Sequence, residues 1–171
     1  GLIRYVIEEE KYFKEYVLHY TNAATLVRED FKDTEDLDGV FSGLGEYKGD
    51  PMNGFIGQYD QKSWQVQGPP EALTMEALAH PRSVCQIVRR HFSRYTPEMV
   101  ERITGCPRET FLKVAEALAR NSGPERTSAF CYAVGWTQHT YGPQLIGTCA
   151  MLQLLLGNIG RPGGGVMALR G

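Results

Sequence analysis

The spacing of apolar positions in this 171-residue chain changes character several times along its length. At the start, Ile3, Val6, Ile7, Tyr12 and Phe13, with Tyr16 and Val17 following, recur at helical spacing, while Glu8, Glu9 and Glu10 fall on the wet side. That stripe predicts a first helix. It opens without a good capping residue, as expected of a helix cut from a longer chain. Thr25-Leu26-Val27 is the best strand candidate in the ambiguous stretch that follows. Between residues 29 and 70 periodicity vanishes among acidic residues, glycines and scattered aromatics, closing on Gly68-Pro69-Pro70. This predicts a loop-rich surface excursion holding at most one hairpin, around Tyr59 to Val66. From Thr74 helical spacing returns. Arg82 to Arg94 places Val84, Ile87, Val88 and Phe92 on one face. Thr96-Pro97-Glu98-Met99 reads as a capped helix start running to Gly105, and after Pro107 the next helix has Phe111, Val114, Ala115, Leu118 and Ala119 as its buried stripe. Asn121 to Pro124 ends that run. Thr127 to Val134 then reads as a strand, with the apolar run Ala129 to Val134 buried.

A strand, a polar loop from Gly135 to Gly142, a helix opening at Pro143 and a glycine loop from Gly160 complete the chain. This is the order in which an α/β protein holds a ligand at the carboxyl edge of its sheet. The expected fold is therefore α/β and Rossmann-like: a mostly parallel sheet flanked by helices in three layers. Residues 1–171 are expected to form one such domain, with 29–70 as a loop-rich insertion, the whole being an interior segment of something larger.

Composition narrows the functional classes. A formal net charge of −2 and a pI near 6.1 give no electrostatic footprint for nucleic acid or an anionic membrane. The longest apolar run, near Met151 to Leu156, is interrupted by Gln153 and Gly157 and falls short of a membrane span. No signal-peptide pattern opens the sequence. The acidic cluster Glu29, Asp30, Asp33, Glu35, Asp36 and Asp38 does not make a calcium loop. Aligning the EF-hand pattern on Asp36, Asp38 and Gly39 leaves Thr34 at the first ligand position and Gly45 where the closing glutamate belongs. Cys85, Cys106, Cys131 and Cys149 contain no C-x-x-C pair, so no metal ligand is assigned here. Cys131 and Cys149 lie in apolar patterns and are expected to be small buried hydrophobes. The basic residues of the 82–94 helix and the tandem short helices that follow suit a solvated face and packing on a sheet better than DNA recognition.

Chemistry concentrates in two loops. In the first, Gly135 permits close approach of a flat or phosphorylated ligand. Trp136 offers a stacking face, Thr137 and Gln138 offer hydrogen bonds, and His139 can change protonation near neutral pH. Gly142-Pro143 starts a helix whose free amides favour an anion. The plainer alternative is a strand-to-helix turn with a surface histidine. In the second loop, Gly163, Gly164 and Gly165 suit either a flexible helix exit or a backbone lying flat along a large cofactor, and Gly157 to Val166 lacks the ending of a phosphate-binding P-loop. Arg170, following Val166-Met167-Ala168-Leu169, presents a charged fork suited to a carboxylate or phosphate oxygen.

The block Y-A-V-G-W-T-Q-H-T-Y-G-P-Q, followed by L-L-L-G-N-I-G-R-P-G-G-G-V-x-A-L-R-G, resembles the catalytic subunit of molybdenum- or tungsten-dependent formate dehydrogenases, within the dimethyl sulfoxide reductase family. The upstream K-Y-F-K-E-Y-V-x-H-Y-T-N-A is similar to their respiratory and periplasmic members. The resemblance implies a bis-molybdopterin guanine dinucleotide cofactor, lined here by Gly135, Trp136, Thr137 and Gln138 and by Gly163, Gly164 and Gly165. It places His139 near the substrate channel and Arg170 on the formate carboxylate. It implies oxidation of formate to carbon dioxide, electrons leaving through iron–sulfur clusters bound outside this segment, and a small iron–sulfur partner subunit in the periplasm. The family's cysteine or selenocysteine metal ligand also lies outside these residues, so the segment alone is not expected to be active. Two other readings remain: a related molybdopterin oxidoreductase acting on another small oxyanion, or a non-catalytic structural α/β domain.

Overall fold

The computed structural model describes residues 1–39, 66–68 and 73–169. The chain divides into two compact units, Gly1–Thr21 with Phe92–Gly171, and Asn22–His91. The fold is α/β, predominantly helical, with two sheets of two strands each among the described residues.

The first unit opens on two helices where the sequence predicts one: α1 (Leu2–Glu8) and α2 (Lys14–Tyr20). The stripe is interrupted at Glu10, whose φ of 50° is left-handed. Lys11 N–H closes back on the Val6 carbonyl, and the next turn begins at Phe13, whose own N–H donates to the Leu155 carbonyl. Ile3, Val6 and Ile7 of α1 and Tyr16, Val17 and Leu18 of α2 are buried. Further along, α5 (Pro97–Thr104) starts on a Thr96 side chain that accepts from Met99 N–H and ends on left-handed Gly105, both as the sequence predicts. In α6 (Arg108–Arg120) Phe111 and Ala115 are buried, but Val114, expected in the stripe, is exposed. The buried line follows 111 and 115, and Val114 sits at its margin.

The centre of this unit is a β-α-β arrangement. Strands β3 (Ala129–Tyr132) and β4 (Gly165–Ala168) pair in parallel, Ala129 opposite Gly165 and Tyr132 opposite Ala168. Between them run the short helix α7 (Val134–Thr137) and the long α8 (Gly142–Leu155). Helices α1 and α2 and strand β4 pack on α8, whose Cys149, Leu152 and Leu155 are buried. Among the described residues only one face of this sheet is covered. Phe130 turns toward α8, whereas Ala129 and Cys131 are exposed, as are Met167 and Leu169 across the ladder. The expected burial of the Ala129–Val134 run, and of Cys131 with it, is thus corrected: alternate residues of a strand need a layer on each side, and the described residues supply one layer. The three-layer Rossmann-like arrangement goes beyond the two small sheets described.

The second unit contains β1 (Leu26–Val27) and β2 (Val66–Gly68), paired antiparallel, with a 3-10 turn over Thr34–Leu37, α3 (Met75–Ala79) and α4 (Val84–Phe92), which crosses its boundary by one residue. Arg82 ties β1 to β2, donating to the Val27 carbonyl at 3.1 Å and to Gln67 Oε1 at 2.7 Å. The acidic cluster is partly consumed by local structure: Asp33 and Asp36 form a reciprocal capping box, and Asp33 meets Arg90 at 3.4 Å. Of the expected hairpin, residues 59–65 lie outside the described residues, and Val66 opens β2.

Candidate functional site at the carboxyl edge of the parallel strands

Beyond Tyr132 the chain turns straight into α7, so the predicted polar loop is partly helical. Gly135, Thr137, Gln138 and His139 are exposed. Gly135 has open space on all sides of the position a Cβ would occupy, with nothing within 4 Å. Trp136 behaves differently: it folds back on the strand, stacked on Tyr132 (centroids 5.5 Å apart, planes 13° apart) and tilted against Phe130 at 6.5 Å. One indole face is therefore taken by the protein. The His139 ring stacks on Tyr141 at 5.7 Å. Gly142 is buried, and a Cβ there would lie 2.7 Å from the Trp136 carbonyl oxygen, so this glycine is required by the tight passage from α7 into α8. The amino end of α8 has no side-chain cap, but the free amides expected there are mostly absent: Gly142 N–H donates to the His139 carbonyl at 2.9 Å, Pro143 has no N–H, and Leu145 N–H donates to the Tyr141 carbonyl at 3.1 Å.

Leu169 N–H donates to the Tyr132 carbonyl at 2.7 Å, extending the ladder to the carboxyl edge. Arg170, the next residue, lies outside the described residues. The backbone at 169 thus stands beside the strand end from which the 133–139 segment departs.

The three predicted glycines lie elsewhere. Gly165 pairs with Ala129, the first residue of β3, so Gly163, Gly164 and Gly165 stand at the amino ends of both strands. Four residues of strand separate that end from the Gly135–His139 segment, on the order of 13 Å. The structure accounts for these glycines by the turn itself. Gly163 and Gly165 have φ of 77° and 114°, and a Cβ on Gly164 would run into the Asn158 carbonyl. The carboxyl-edge residues are brought together; the glycine run is not among them.

Three polar residues not singled out as site candidates hold that turn. Arg161 donates to the carbonyls of Gly123 (2.6 Å), Gly157 (3.1 Å) and Pro124, and its guanidinium lies 5.8 Å from the centre of the Phe13 ring. Gln153 and Asn158 are fully buried and bonded to each other at 2.8 Å. In the sequence Gln153 registers only as an interruption of an apolar run, and nothing in its spacing assigns it partners 12 and 25 residues away.

Between α1, α7 and α8 lies an apolar cavity of about 230 Å³, lined by Leu2, Ile3, Phe130, Trp136, Cys149 and Leu152 among others. Burial pushes the Cys149 thiol up to about 11. At pH 8 it is expected to resist alkylation in the folded protein, as peptide mass spectrometry after iodoacetamide would show; rapid labelling would contradict its burial. Because the folded value lies above the ordinary thiol range, this group's stabilising share is complete below pH 9 and is lost as pH rises toward 11.

No family model matches the chain. Comparison with curated proteins is informative along its entire length. The chain is 51% identical over 173 residues to the major subunit of the nitrate-inducible formate dehydrogenase of Escherichia coli (strain K12), covering all of this chain and 16% of that protein. It is 42% identical over 175 residues to formate dehydrogenase subunit alpha of Megalodesulfovibrio gigas. It is 40% identical over 173 residues to formate dehydrogenase 2 subunit alpha (cytochrome c-553) of Nitratidesulfovibrio vulgaris. The chain spans about 16% of the length of these relatives. Among the described residues no helix is long and apolar enough to cross a membrane.

Proposed function

We propose, for a chain that belongs along its whole length to the family of formate dehydrogenase major subunits, that it acts as a cofactor-lining segment of a subunit oxidising formate to carbon dioxide. The observation that carries this reading is the carboxyl edge: exposed Gly135, Thr137, Gln138 and His139 beside the strand end where Leu169 arrives. Open space at the Gly135 Cβ position fits the close approach of a bulky group such as a molybdopterin guanine dinucleotide. When bound, that cofactor's molybdenum or tungsten would supply the two-electron chemistry.

This chain's own residues would do simpler work. Thr137 and Gln138 donate and accept hydrogen bonds along the cofactor edge, and Gly135 lets its body approach the backbone. Trp136, held by Tyr132, gives the pocket a rigid wall. His139 holds or releases a proton at the mouth, and Arg170 orients the formate carboxylate by a two-pronged contact. For Gly163, Gly164 and Gly165 to touch the same cofactor, it would have to reach the amino ends of the strands as well. The bare apolar face of Ala129, Cys131, Met167 and Leu169 suits a second helical layer from elsewhere in the subunit, giving the three-layer Rossmann-like domain and burying Cys131. A periplasmic site, iron–sulfur clusters bound outside this segment and a small iron–sulfur electron-transfer subunit complete the proposal.

The test is formate-dependent dye reduction by the full-length subunit carrying this segment. Arg170→Lys is expected to raise the KM for formate roughly a hundredfold, the equivalent of about 3 kcal/mol in a lost charged hydrogen-bond pair. His139→Gln is expected to alter the pH profile while leaving pterin content unchanged. Unaltered kinetics in both variants would remove formate from this site.

A further inference from the structure

Gln153 and Asn158 form a pair of buried amides at the far end of the sheet from the candidate site, and their bonding is unusually specific. Gln153 Nε2 donates to the Ser128 carbonyl at 2.7 Å and to the Gly165 carbonyl at 2.8 Å. Ser128 immediately precedes β3 and Gly165 opens β4, so one side-chain amide spans both strands at their first registered pair. Its Oε1 accepts from Asn158 Nδ2 at 2.8 Å. The same Nδ2 lies 3.0 Å from Ser122 Oγ and from Ser128 Oγ, and Asn158 Oδ1 accepts from Ser128 N–H at 3.2 Å. Both side chains are wholly withdrawn from solvent. Among the described residues no buried side-chain nitrogen or oxygen lacks a partner.

An apolar pair of the same volume would pack at this position without the cost of desolvating two amides. What apolar side chains cannot supply is direction. Two strands of parallel ladder can slide by a residue and reverse the face of every side chain, and a fully bonded polar network penalises any such slip because each partner would be left unpaired. The register set at the amino ends is carried along the ladder to the Leu169–Tyr132 bond, which fixes how the start of the 133–139 segment stands against Leu169.

We infer that Gln153 and Asn158 are positioning residues for the carboxyl-edge site: their amide pair sets β3 against β4 and thereby the place of the 135–139 segment relative to Leu169. The inference rests on the reading under Proposed function. It is tested in the full-length subunit with Gln153→Met, which keeps volume and removes both donors, with Asn158→Leu, and with the milder Ser122→Ala, which takes one acceptor from Asn158 and leaves the strand backbones intact. Pterin and metal content, the electron paramagnetic resonance signal of the reduced metal centre, and kcat and KM per bound cofactor are measured together.

A positioning role predicts that cofactor-loaded Gln153→Met shows an altered signal and a formate KM raised roughly ten- to a hundredfold, the range expected when a site is displaced by about 1 Å, with the double variant no worse than the more severe single one. Where the two large changes prevent assembly, Ser122→Ala is expected to move KM in the same direction by a smaller factor. Unchanged signal and KM per bound cofactor in Ser122→Ala and any assembling variant would reduce the pair to a purely structural element and overturn the inference. A wild-type subunit free of pterin would overturn the parent reading, and the inference with it, and is recognised before any variant is compared.

Discussion

Gly164→Ala is expected to lower the stability of the folded segment by about 3 kcal/mol or more, at the upper end of what overpacking costs. The backbone at 164 packs directly on the Asn158 carbonyl, so an added methyl meets rigid backbone and not a side chain able to swing away. Relief requires opening the 158–165 turn. That turn is pinned by the Asn158 amide, by Thr127 Oγ1 donating to the Pro162 carbonyl at 2.7 Å, and by Arg161. Thermal unfolding of the full-length protein, or limited proteolysis read at the 158–165 turn, measures the effect. Proteolysis at the 158–165 turn no faster than in the wild type would contradict the packing described for Gly164.

The second large effect is expected at Arg161. Its guanidinium satisfies three backbone carbonyls from two separate turns and covers the Phe13 ring. Arg161→Ala leaves those carbonyls to find other donors and is expected to destabilise by roughly 2–4 kcal/mol, summing charged hydrogen bonds that each contribute about 1.5–3 kcal/mol with incomplete additivity. Arg161→Lys keeps the charge but replaces a planar fork by a single point, and is expected to recover less than half of the loss. Equal stability of the Lys variant and the wild type would show that charge alone, not the fork, holds the turn.

These two residues also mark what the sequence could not convey. Local signals were legible where a single residue does the work: the Thr96 cap, the left-handed Gly105, the Pro143 helix start and the strand at Ala129 all stand in the fold near their predicted places. The expected mostly parallel sheet is met in part: β3 and β4 pair in parallel, while β1 and β2 are antiparallel, and β4 follows the glycine loop where no strand was expected. The reversal at Glu10 was hidden because the apolar stripe continues across it, and helical periodicity carries no sign of a left-handed residue. Cys131 and Val114 read as buried because apolar character reports on the finished environment of a strand or helix face, and the described residues supply one side of it. The glycine run was legible as glycine-requiring, but its reason was not. Positive φ and contact with Asn158 explain it by backbone geometry, at the opposite end of the strands from Gly135 and His139. Gln153, Asn158 and Arg161 act across separations of up to 38 residues, which no local pattern announces.

The carboxyl-edge location of the cofactor surface is tested most directly at Gly135. Its Cβ position is open, and its helical backbone accepts alanine without strain, so Gly135→Ala is expected to leave the unfolding temperature of the cofactor-free subunit unchanged or slightly raised. If the cofactor packs against this backbone, the added methyl must cost binding about 1–3 kcal/mol, and pterin content at limiting cofactor is expected to fall roughly tenfold. Full pterin content in Gly135→Ala at limiting cofactor would contradict the account, by showing that the space beside Gly135 belongs to something else.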